Sequence, residues 1–264
     1  MSRRNSRLTH LLAILILITG VAGCGRFNAS SADPPTTNTA NGAGRAPNPA
    51  ASQSPGAPSD DKRAASADIA GGYNVTGTNI EGQGNYKGEL TITKRGEVFQ
   101  FSWDVAGSKY DGVGVRIDDA VAVSYAAGAD GKGCGAVLYR INADGSLDGR
   151  AGYWGVNEGE SEKAVRLSGS NVVGDYEVTG TNPDGTEYKN KLTITSSGPA
   201  FIFKWTGANT LEGVGIRQGN FVTAGFGGKQ CSFVAYQINA DGSLDGRWGG
   251  VGTVNFGSEK VAKK

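Results

Sequence analysis

An internal duplication is the feature that most constrains the fold of this 264-residue chain. The ten residues INADGSLDGR occur twice without a change, at residues 141–150 and again at residues 238–247. Matching segments precede each copy, and YNVTGTN at residues 73–79 corresponds to YEVTGTN at residues 176–182. Two units of roughly 100 residues each are too few to stack as a solenoid. Each copy is therefore expected to be a domain or half of one.

Apolar residues at every second position predict that each copy is made of β-strands. Phe99, Phe101 and Trp103 form one such run, and residues 121–125 and 137–141 continue the pattern. This period of two is the signal of half-buried strands. Turn dipeptides such as Glu-Gly, Arg-Gly and Asp-Gly interrupt the runs at short intervals. The pattern predicts about seven or eight antiparallel strands per copy, joined as a meander, with Trp103 and Trp205 facing the interior.

A meander of that size either leaves exposed edges or closes into a barrel, and closure removes the edges. The expected fold class is all-β, with two tandem meander domains at residues 69–168 and 169–264. Their architecture resembles small up-and-down barrels of the avidin or lipocalin kind. The resemblance is architectural, because the chain carries no biotin-site motif and no avidin residue is transferred to it. Two-sheet sandwiches are the alternative.

The N-terminal segment has the pattern of a lipoprotein signal peptide. MSRRNSR is positively charged, LLAILILITGVAG is apolar, and small residues precede Cys24. The sequence Val21-Ala22-Gly23-Cys24 resembles a bacterial lipobox. That resemblance implies cleavage after Gly23, a diacylglycerol on the Cys24 sulfur and acylation of the new amino group. Residues 1–23 are then the signal peptide, and the alternative is ordinary secretion with an unmodified Cys24.

Acyl chains on Cys24 would anchor the mature protein stably in a lipid bilayer without a spanning helix. Gly25 follows the cysteine, where enterobacterial lipoproteins retained at the inner membrane have Asp. The expected location is therefore the bacterial cell envelope, with the outer membrane favoured if one is present. Residues 24–68 are mostly Ala, Ser, Pro, Asn, Thr and Gly, a composition that predicts a disordered tether. A segment with no spacing role is the alternative.

Composition argues against catalysis. The single histidine, His10, lies in the signal peptide, so the mature chain has none for a Ser-His-Asp or Cys-His arrangement. Two groups of acids, Asp118 with Asp119 and Glu158 with Glu160 and Glu162, could in principle do acid–base work, but both are expected to be solvated turn residues. We therefore expect no enzyme, no catalytic residue and no cofactor. The 26 basic and 25 acidic residues are nearly balanced, and they predict no nucleic-acid partner.

The repeated decamer raises the question of a calcium site. Asn142, Asp144, Ser146 and Asp148 place oxygen-bearing side chains at alternate positions around an Asp-Gly pair. An EF-hand loop needs a bidentate Glu at its twelfth position, and counting from Asn142 gives Tyr153. The decamer is therefore predicted to be a hairpin turn with Asp-Gly at its tip, and no metal site is expected.

Cys134 and Cys231 occupy the same position in the two copies, and neither has a partner within its own copy. They are either two free thiols or an interdomain disulfide, and free thiols are uncommon in exported proteins. Each cysteine shares a strand face with further apolar residues, for example Ala136 and Leu138 in the first copy. The outer face of these strands is therefore expected to be covered, for example by the sister copy.

Two sets of residues are candidates for binding. Tyr153, Trp154 and Trp248 follow the decamer and could form a binding surface, with strand packing as the alternative. The other candidates are the loops that differ between the copies, namely residues 80–85 against 183–187, 104–110 against 206–211, and 126–133 against 227–230.

The function expected from these observations is a non-enzymatic binding or adhesion module for a macromolecule. The partner would be a matrix protein, an envelope polymer or another envelope protein. The pattern G-x-Y-x-V-x-GTN…LTI…W…GVG…Y-x-I…DGSL-x-G resembles a group of exported bacterial proteins, some of which are labelled fibronectin-binding. The alternative is a small-molecule carrier with a ligand inside each barrel. A sizeable cavity lined by Tyr73, Tyr139 and Trp103 would favour that alternative.

Overall fold

The structure is a computed structural model, and it describes residues 67–264. The predictions for the signal peptide, for Cys24 and for the tether as far as residue 66 lie outside the described residues. Within the described part of the chain, no helix has the length and apolar character needed to cross a bilayer.

Sixteen β-strands account for most of the described residues, eight in each repeat. The first repeat contains β1 (Gly71–Thr78), β2 (Asn85–Arg95), β3 (Val98–Val105), β4 (Ser108–Ile117), β5 (Ala120–Ala127), β6 (Gly135–Ile141), β7 (Leu147–Tyr153) and β8 (Glu160–Arg166). The second contains β9 (Gly174–Thr181), β10 (Glu187–Ser197), β11 (Ala200–Thr206), β12 (Thr210–Gln218), β13 (Phe221–Phe226), β14 (Ser232–Ile238), β15 (Leu244–Gly249) and β16 (Gly257–Lys263). A short 3-10 helix, Ile80–Gly82, lies between β1 and β2.

The strands form two closed eight-stranded antiparallel barrels. The predicted all-β class and barrel architecture are confirmed, and the sandwich alternative is not what forms. Closure pairs every strand on both sides, so each barrel satisfies its backbone hydrogen-bonding groups without an exposed edge.

The barrels do not coincide with the repeats. Barrel 2 is formed by the consecutive strands β6 to β13, and barrel 1 by β1 to β5 together with β14 to β16. Barrel 2 is therefore inserted into barrel 1, and each barrel takes strands from both repeats. The predicted division into residues 69–168 and 169–264 describes the sequence repeats but cuts through barrel 2, between its neighbouring strands β8 and β9.

The pairing register explains why the duplication did not reveal this arrangement. Val123 of β5 pairs with Val234 of β14, and Ala224 of β13 pairs with Val137 of β6. Val137 and Val234 are equivalent positions in the two repeats. Strand β5 therefore pairs with β14 instead of β6, and β13 pairs with β6 instead of β14. Because β6 and β14 are equivalent strands of the two repeats, the register is the same in either arrangement. The local pairs are the same in either arrangement, so strand patterning cannot distinguish the two.

Aromatic and β-branched side chains fill the barrel interiors, as the alternating pattern predicts. Trp103 in barrel 1 and Trp205 in barrel 2 are each 5% exposed, which confirms their interior position. Phe101 and Phe203 are fully buried beside them. Burying side chains of this size stabilises the fold by roughly 1.5–3 kcal/mol each.

The outer walls of the two barrels pack against each other. Ala136 and Leu138 of β6, in barrel 2, lie with Val113 and Val115 of β4, in barrel 1, in one buried apolar cluster. An equivalent cluster surrounds Phe233 of β14. The prediction that the outer face of these strands is covered is confirmed, and the cover comes from the neighbouring barrel.

The two segments that connect the barrels, residues 128–134 and 227–231, lie side by side. A disulfide joins Cys134 to Cys231, whose Cα atoms are 5.6 Å apart. A Cβ atom on Gly227 would lie 1.8 Å from the Gly133 carbonyl oxygen, so the segments pass backbone against backbone and only glycine fits there. The disulfide thus joins the segment that enters barrel 2 to the segment that leaves it.

The repeated decamer forms the same hairpin turn in both copies. The Gly145 N–H donates to the Asn142 carbonyl oxygen, and the Ser146 N–H donates to the Asp144 carboxylate, both at 2.9 Å. The turn at residues 239–243 repeats these bonds at the same distances. Gly145 has φ of +82°, a left-handed conformation that glycine adopts without strain. The predicted hairpin is confirmed, and it joins β6 to β7 and β14 to β15.

Removal of the disulfide should destabilise the protein measurably. The bond spans a sequence separation of 97 residues, and removing a native disulfide typically lowers the free energy of unfolding by roughly 2–4 kcal/mol. We expect a loss of that size in the variant Cys134→Ser/Cys231→Ser, measured by urea denaturation, with Cys24→Ser as the control. Two thiols open to alkylation in the native protein would contradict the disulfide.

Candidate ligand sites at the barrel mouths

Each barrel is plugged at one end by an apolar residue that precedes one of its strands, Ile69 before β1 in barrel 1 and Val172 before β9 in barrel 2. In barrel 1 the hydroxyl of Tyr73 donates to the carbonyl oxygen of Ile69 at 2.8 Å, and both side chains are fully buried. Tyr176 and Val172 repeat this contact in barrel 2 at 3.0 Å. Space for a ligand lies at the opposite end of each barrel, which we call mouth 1 in barrel 1 and mouth 2 in barrel 2.

Mouth 1 is a cavity of about 390 Å³, and mouth 2 is a cavity of about 320 Å³. Both lie within the size range of small-molecule sites. Five aromatic side chains from five strands line mouth 1, together with one glutamate: Tyr86, Trp103, Tyr110, Tyr125, Trp248 and Glu259. Mouth 2 has four aromatic side chains and two glutamates: Tyr153, Tyr188, Trp205, Phe226, Glu160 and Glu162.

The carboxylate of Glu259 is held by three donors in mouth 1. Its Oε1 atom accepts hydrogen bonds from the Trp103 indole N–H, at 3.1 Å, and from the Tyr236 hydroxyl. Its Oε2 atom accepts one from the Tyr86 hydroxyl at 2.9 Å. Tyr86 and Trp103 belong to the first repeat and the other two residues to the second. The arrangement exists because barrel 1 combines strands of both repeats.

Mouth 2 contains the four equivalent residues, each from the opposite repeat. The Tyr188 hydroxyl donates to Oε1 of Glu162 at 2.9 Å, and the Tyr139 hydroxyl donates to Oε2. The Trp205 indole N–H donates to the Tyr139 hydroxyl at 3.1 Å rather than to the carboxylate. Each barrel therefore holds one glutamate, two tyrosines and one tryptophan in a single hydrogen-bonded group.

Burial controls the ionisation of these groups. It raises the pKa of Glu259 and of Glu162 above the ordinary glutamate value, and the hydroxyls that donate to them offset part of that rise. Burial and the neighbouring carboxylate also raise the pKa values of Tyr236 and Tyr139 well above their usual range. The tyrosines therefore stay protonated and act as donors at neutral pH.

The mouths differ chiefly at one pair of facing residues. Trp248 pairs with Gly257 across β15 and β16, whereas the equivalent pair on β7 and β8 is Ala151 with Glu160. A Cβ on Gly257 would lie 2.2 Å from the Trp248 ring, so the ring covers the place where a side chain would stand. The larger side chain of the pair thus lies on β15 in barrel 1, as Trp248, and on β8 in barrel 2, as Glu160. At this place mouth 1 is aromatic and mouth 2 is acidic.

The loops that differ between the repeats frame these mouths. Ala106 and Ser108, from the 104–110 loop, line mouth 1, and so does Gln230 from the 227–230 loop. Ala208 and Asn209, from the 206–211 loop, line mouth 2. The structure therefore brings the variable loops predicted as candidates for function to the open ends of the barrels.

The three aromatic residues predicted as one binding surface lie in different places. Trp248 lines mouth 1 and Tyr153 lines mouth 2. Trp154 is partly buried where the barrels meet, and its indole N–H donates to the buried carboxylate of Asp111, which also accepts from Ser102 at 2.6 Å. Trp154 thus joins the segment after β7 to the wall of barrel 1.

The described residues contain no candidate metal site. Among residues 67–264, no group of three or more His, Cys, Asp or Glu side chains is arranged to hold a metal ion. In the decamer, Asp144 accepts from both the N–H and the hydroxyl of Ser146, so its carboxylate is part of the turn.

No protein-family model, curated protein or solved structure matches the chain. The mouths are therefore the basis for functional inference.

The expectation that Glu160 and Glu162 are solvated turn acids is wrong, because both lie on β8 and line mouth 2. Glu259, the buried equivalent of Glu162, is not among the predicted site residues. Glu162 and Glu259 lie in the tripeptide Ser-Glu-Lys that occurs in both repeats. Glu259 alternates with Gly257 and Val261 on β16, and all three positions are buried. A glutamate in phase with interior residues in both repeats was the signal that could have identified these sites.

The ionisation of Glu160 should make stability depend on pH. Glu160 is 8% exposed, and burial together with the charge of Glu162 raises its pKa to about 7. In the window from the ordinary glutamate pKa to about 7, the folded state keeps a proton that the unfolded state releases, so stability falls as pH rises. We expect the free energy of unfolding of Glu160→Gln to fall by roughly 1–2 kcal/mol less than that of the wild type over this window. The expected difference is smaller than the full pKa shift of Glu160 would give, because the mouth is open to solvent.

Urea denaturation from about pH 5 to 8 measures this effect, since the window of the shifted group lies within that range. The exposed neighbour Glu158 provides the control variant Glu158→Gln, which should keep the wild-type profile. If the free energy of unfolding falls equally with pH in the wild type and in Glu160→Gln, the pKa of Glu160 is not raised and the prediction is wrong.

Proposed function

We propose that the protein is a non-enzymatic binding protein that holds a small organic ligand in each barrel mouth. The observation that carries this proposal is the pair of equivalent cavities, each with a hydrogen-bonded carboxylate among aromatic walls. Burying a carboxylate is unfavourable unless its environment compensates for lost hydration. A barrel that needed only a packed interior would be more stable with apolar side chains there. A few polar groups converging in a mostly apolar cavity are typical of ligand sites.

The cavities favour the carrier hypothesis over the adhesion module. No single cavity is lined by Tyr73, Tyr139 and Trp103 among the described residues: Trp103 lines mouth 1, Tyr139 donates to Glu162 without lining mouth 2, and Tyr73 belongs to the plugged end of barrel 1. The support for a carrier comes instead from the two mouths. Tyr153 and Trp248 are half-buried in the mouths rather than displayed on an outer face. The prediction that the chain binds a matrix protein, an envelope polymer or an envelope protein rests on the predicted tether, the aromatic candidates and the resemblance to exported proteins, and two of those aromatic residues line the mouths.

We also propose that the protein is exported and anchored to the bacterial cell envelope through lipid on Cys24. The lipobox pattern before Cys24 supports this location. The Cys134–Cys231 disulfide supports it independently, since such bonds persist in oxidising compartments outside the cytosol. In this arrangement the envelope membrane is the partner of the N-terminus, and the mouths bind their ligands outside the cytosol.

Substitution of Cys24 tests the anchor. We expect Cys24→Ser to move the protein from the membrane fraction to the soluble fraction, because the acyl chains have no other attachment site. Cell fractionation with immunoblotting measures the shift, and Cys134→Ser/Cys231→Ser is the matched cysteine control. A Cys24→Ser protein that stays with the membrane fraction would refute lipid anchoring.

Blocking each mouth tests the carrier function. Ala127 and Ala208 are exposed lining residues of mouth 1 and mouth 2, respectively. We expect Ala127→Trp to abolish binding at mouth 1 and Ala208→Trp to abolish it at mouth 2, with at least a tenfold loss of affinity, about 1.4 kcal/mol. The assay is saturation-transfer NMR of the full chain against a fragment set of amines, sugars, alcohols and carboxylates. Fragments that bind neither mouth, or bind both blocked variants as well as wild type, would count against the proposal.

A further inference from the structure

The aromatic rings of mouth 1 surround the cavity at different inclinations. The Trp103 and Tyr125 ring centroids are 5.4 Å apart with planes 50° apart, and Tyr110 meets Tyr125 edge to face at 5.8 Å. Tyr86 and Trp248 are 6.3 Å apart with planes at 65°. Rings inclined in this way do not form one parallel stack, and they form walls around the cavity instead.

The described lining of mouth 1 contains one acidic group and no basic group that could serve as its counter-ion. Glu259 is the carboxylate there, and among the described residues that line the cavity there is neither a lysine nor an arginine. Its three hydrogen-bond donors are two tyrosine hydroxyls and an indole, all of them neutral. A cation in the cavity would supply the missing charge, and its field would favour the ionised form of Glu259.

Trp248 is positioned for contact through its ring face. The ring covers Gly257, where mouth 2 has the side chain of Glu160. Its indole N–H is buried and makes no hydrogen bond of normal geometry to the described residues, although Trp248 offsets part of the rise that burial and Glu259 cause in the pKa of the neighbouring Tyr86 hydroxyl. A tryptophan face is the strongest of the aromatic surfaces for attracting a cation.

The hydrogen bonds already made by Glu259 select the kind of cation. An ionised carboxylate has about four acceptor sites, and three donors already occupy Glu259. A primary ammonium carries three N–H groups that all need acceptors. A quaternary ammonium carries none, is attracted by ring faces and interacts with the carboxylate through charge alone. Glu259 therefore offers at most about one further acceptor site to an N–H group, and a cation without N–H groups needs none.

We propose that mouth 1 binds a quaternary ammonium compound, with the faces of Trp103, Tyr125 and Trp248 around the cation and Glu259 as its counter-ion. This inference rests on the proposed carrier function and names the ligand class for one of its two sites. Mouth 2 lacks the same cage, because Leu211, Phe226 and Ala151 replace Tyr110, Tyr125 and Trp248 and Glu160 adds a second acid.

Choline and its neutral isostere 3,3-dimethylbutan-1-ol test the role of charge, because they have the same shape and differ in the central atom. We expect choline to bind the full chain at one site and at least tenfold more tightly than the alcohol in isothermal titration calorimetry. Equal affinities would overturn the inference, since shape and apolar contact would then account for binding.

Variants assign the choline site to mouth 1. We expect Trp248→Ala and Glu259→Gln each to weaken choline binding at least tenfold, the first by removing a ring face and the second by removing the charge. Glu89→Gln makes the same charge change on the exposed face of β2 and should bind as wild type does. Trp248 is only partly buried, so Trp248→Ala keeps the test valid if Glu259→Gln fails to fold. Unchanged affinity in Trp248→Ala would overturn the assignment.

The fragment experiment separates failure of this inference from failure of the carrier function. If neutral fragments such as sugars bind mouth 1 in a manner that Ala127→Trp abolishes, while choline and tetramethylammonium do not bind, the quaternary ammonium inference is wrong and the carrier function stands. If nothing binds either mouth, both are wrong. Choline binding that Ala127→Trp abolishes supports both.

Discussion

The two chain crossings joined by the Cys134–Cys231 disulfide are the constraint on which the rest of the structure depends. They lead the chain out of barrel 1 after β5 and back into it after β13, with all of barrel 2 between them. The close passage of Gly227 against Gly133 shows how little room the crossings leave. Because of them, each barrel is completed by strands from both repeats, and its wall is covered by its neighbour.

The composition of the mouths follows from that crossing. Glu259 of the second repeat meets Tyr86 and Trp103 of the first only because β14 to β16 close the barrel begun by β1 to β5. Because the repeats are equivalent, barrel 2 has the same arrangement with the repeats exchanged: Glu162 of the first repeat accepts a hydrogen bond from Tyr188 of the second. The two mouths differ chemically at one pair of facing positions, Trp248 with Gly257 in barrel 1 and Ala151 with Glu160 in barrel 2, and at two further positions, where Leu211 and Phe226 replace Tyr110 and Tyr125.

Much of this fold was predictable from the sequence, but little of the site was. Alternation correctly placed Trp103 and Trp205 inside, and the Asp-Gly turn chemistry of the decamer identified a hairpin. Two of the candidate aromatic residues, Tyr153 and Trp248, do line the mouths. The central glutamates were misjudged, with Glu162 expected in a solvated turn and Glu259 not considered, because an acidic residue in a strand is ordinarily assigned to the solvent face. Only the phase of Glu259 with Val261 indicated otherwise.

The sequence by itself determined the strands, their inward and outward faces and the turns between them, whereas it left barrel closure open against a two-sheet sandwich. These properties depend on side-chain alternation and on local turn chemistry, which neighbouring residues specify. The tertiary structure alone decided which repeat completes which barrel, because Val137 and Val234 offer the same register to either partner. That choice also decided which tyrosines and tryptophan surround each buried glutamate, since those contacts join residues far apart in the chain.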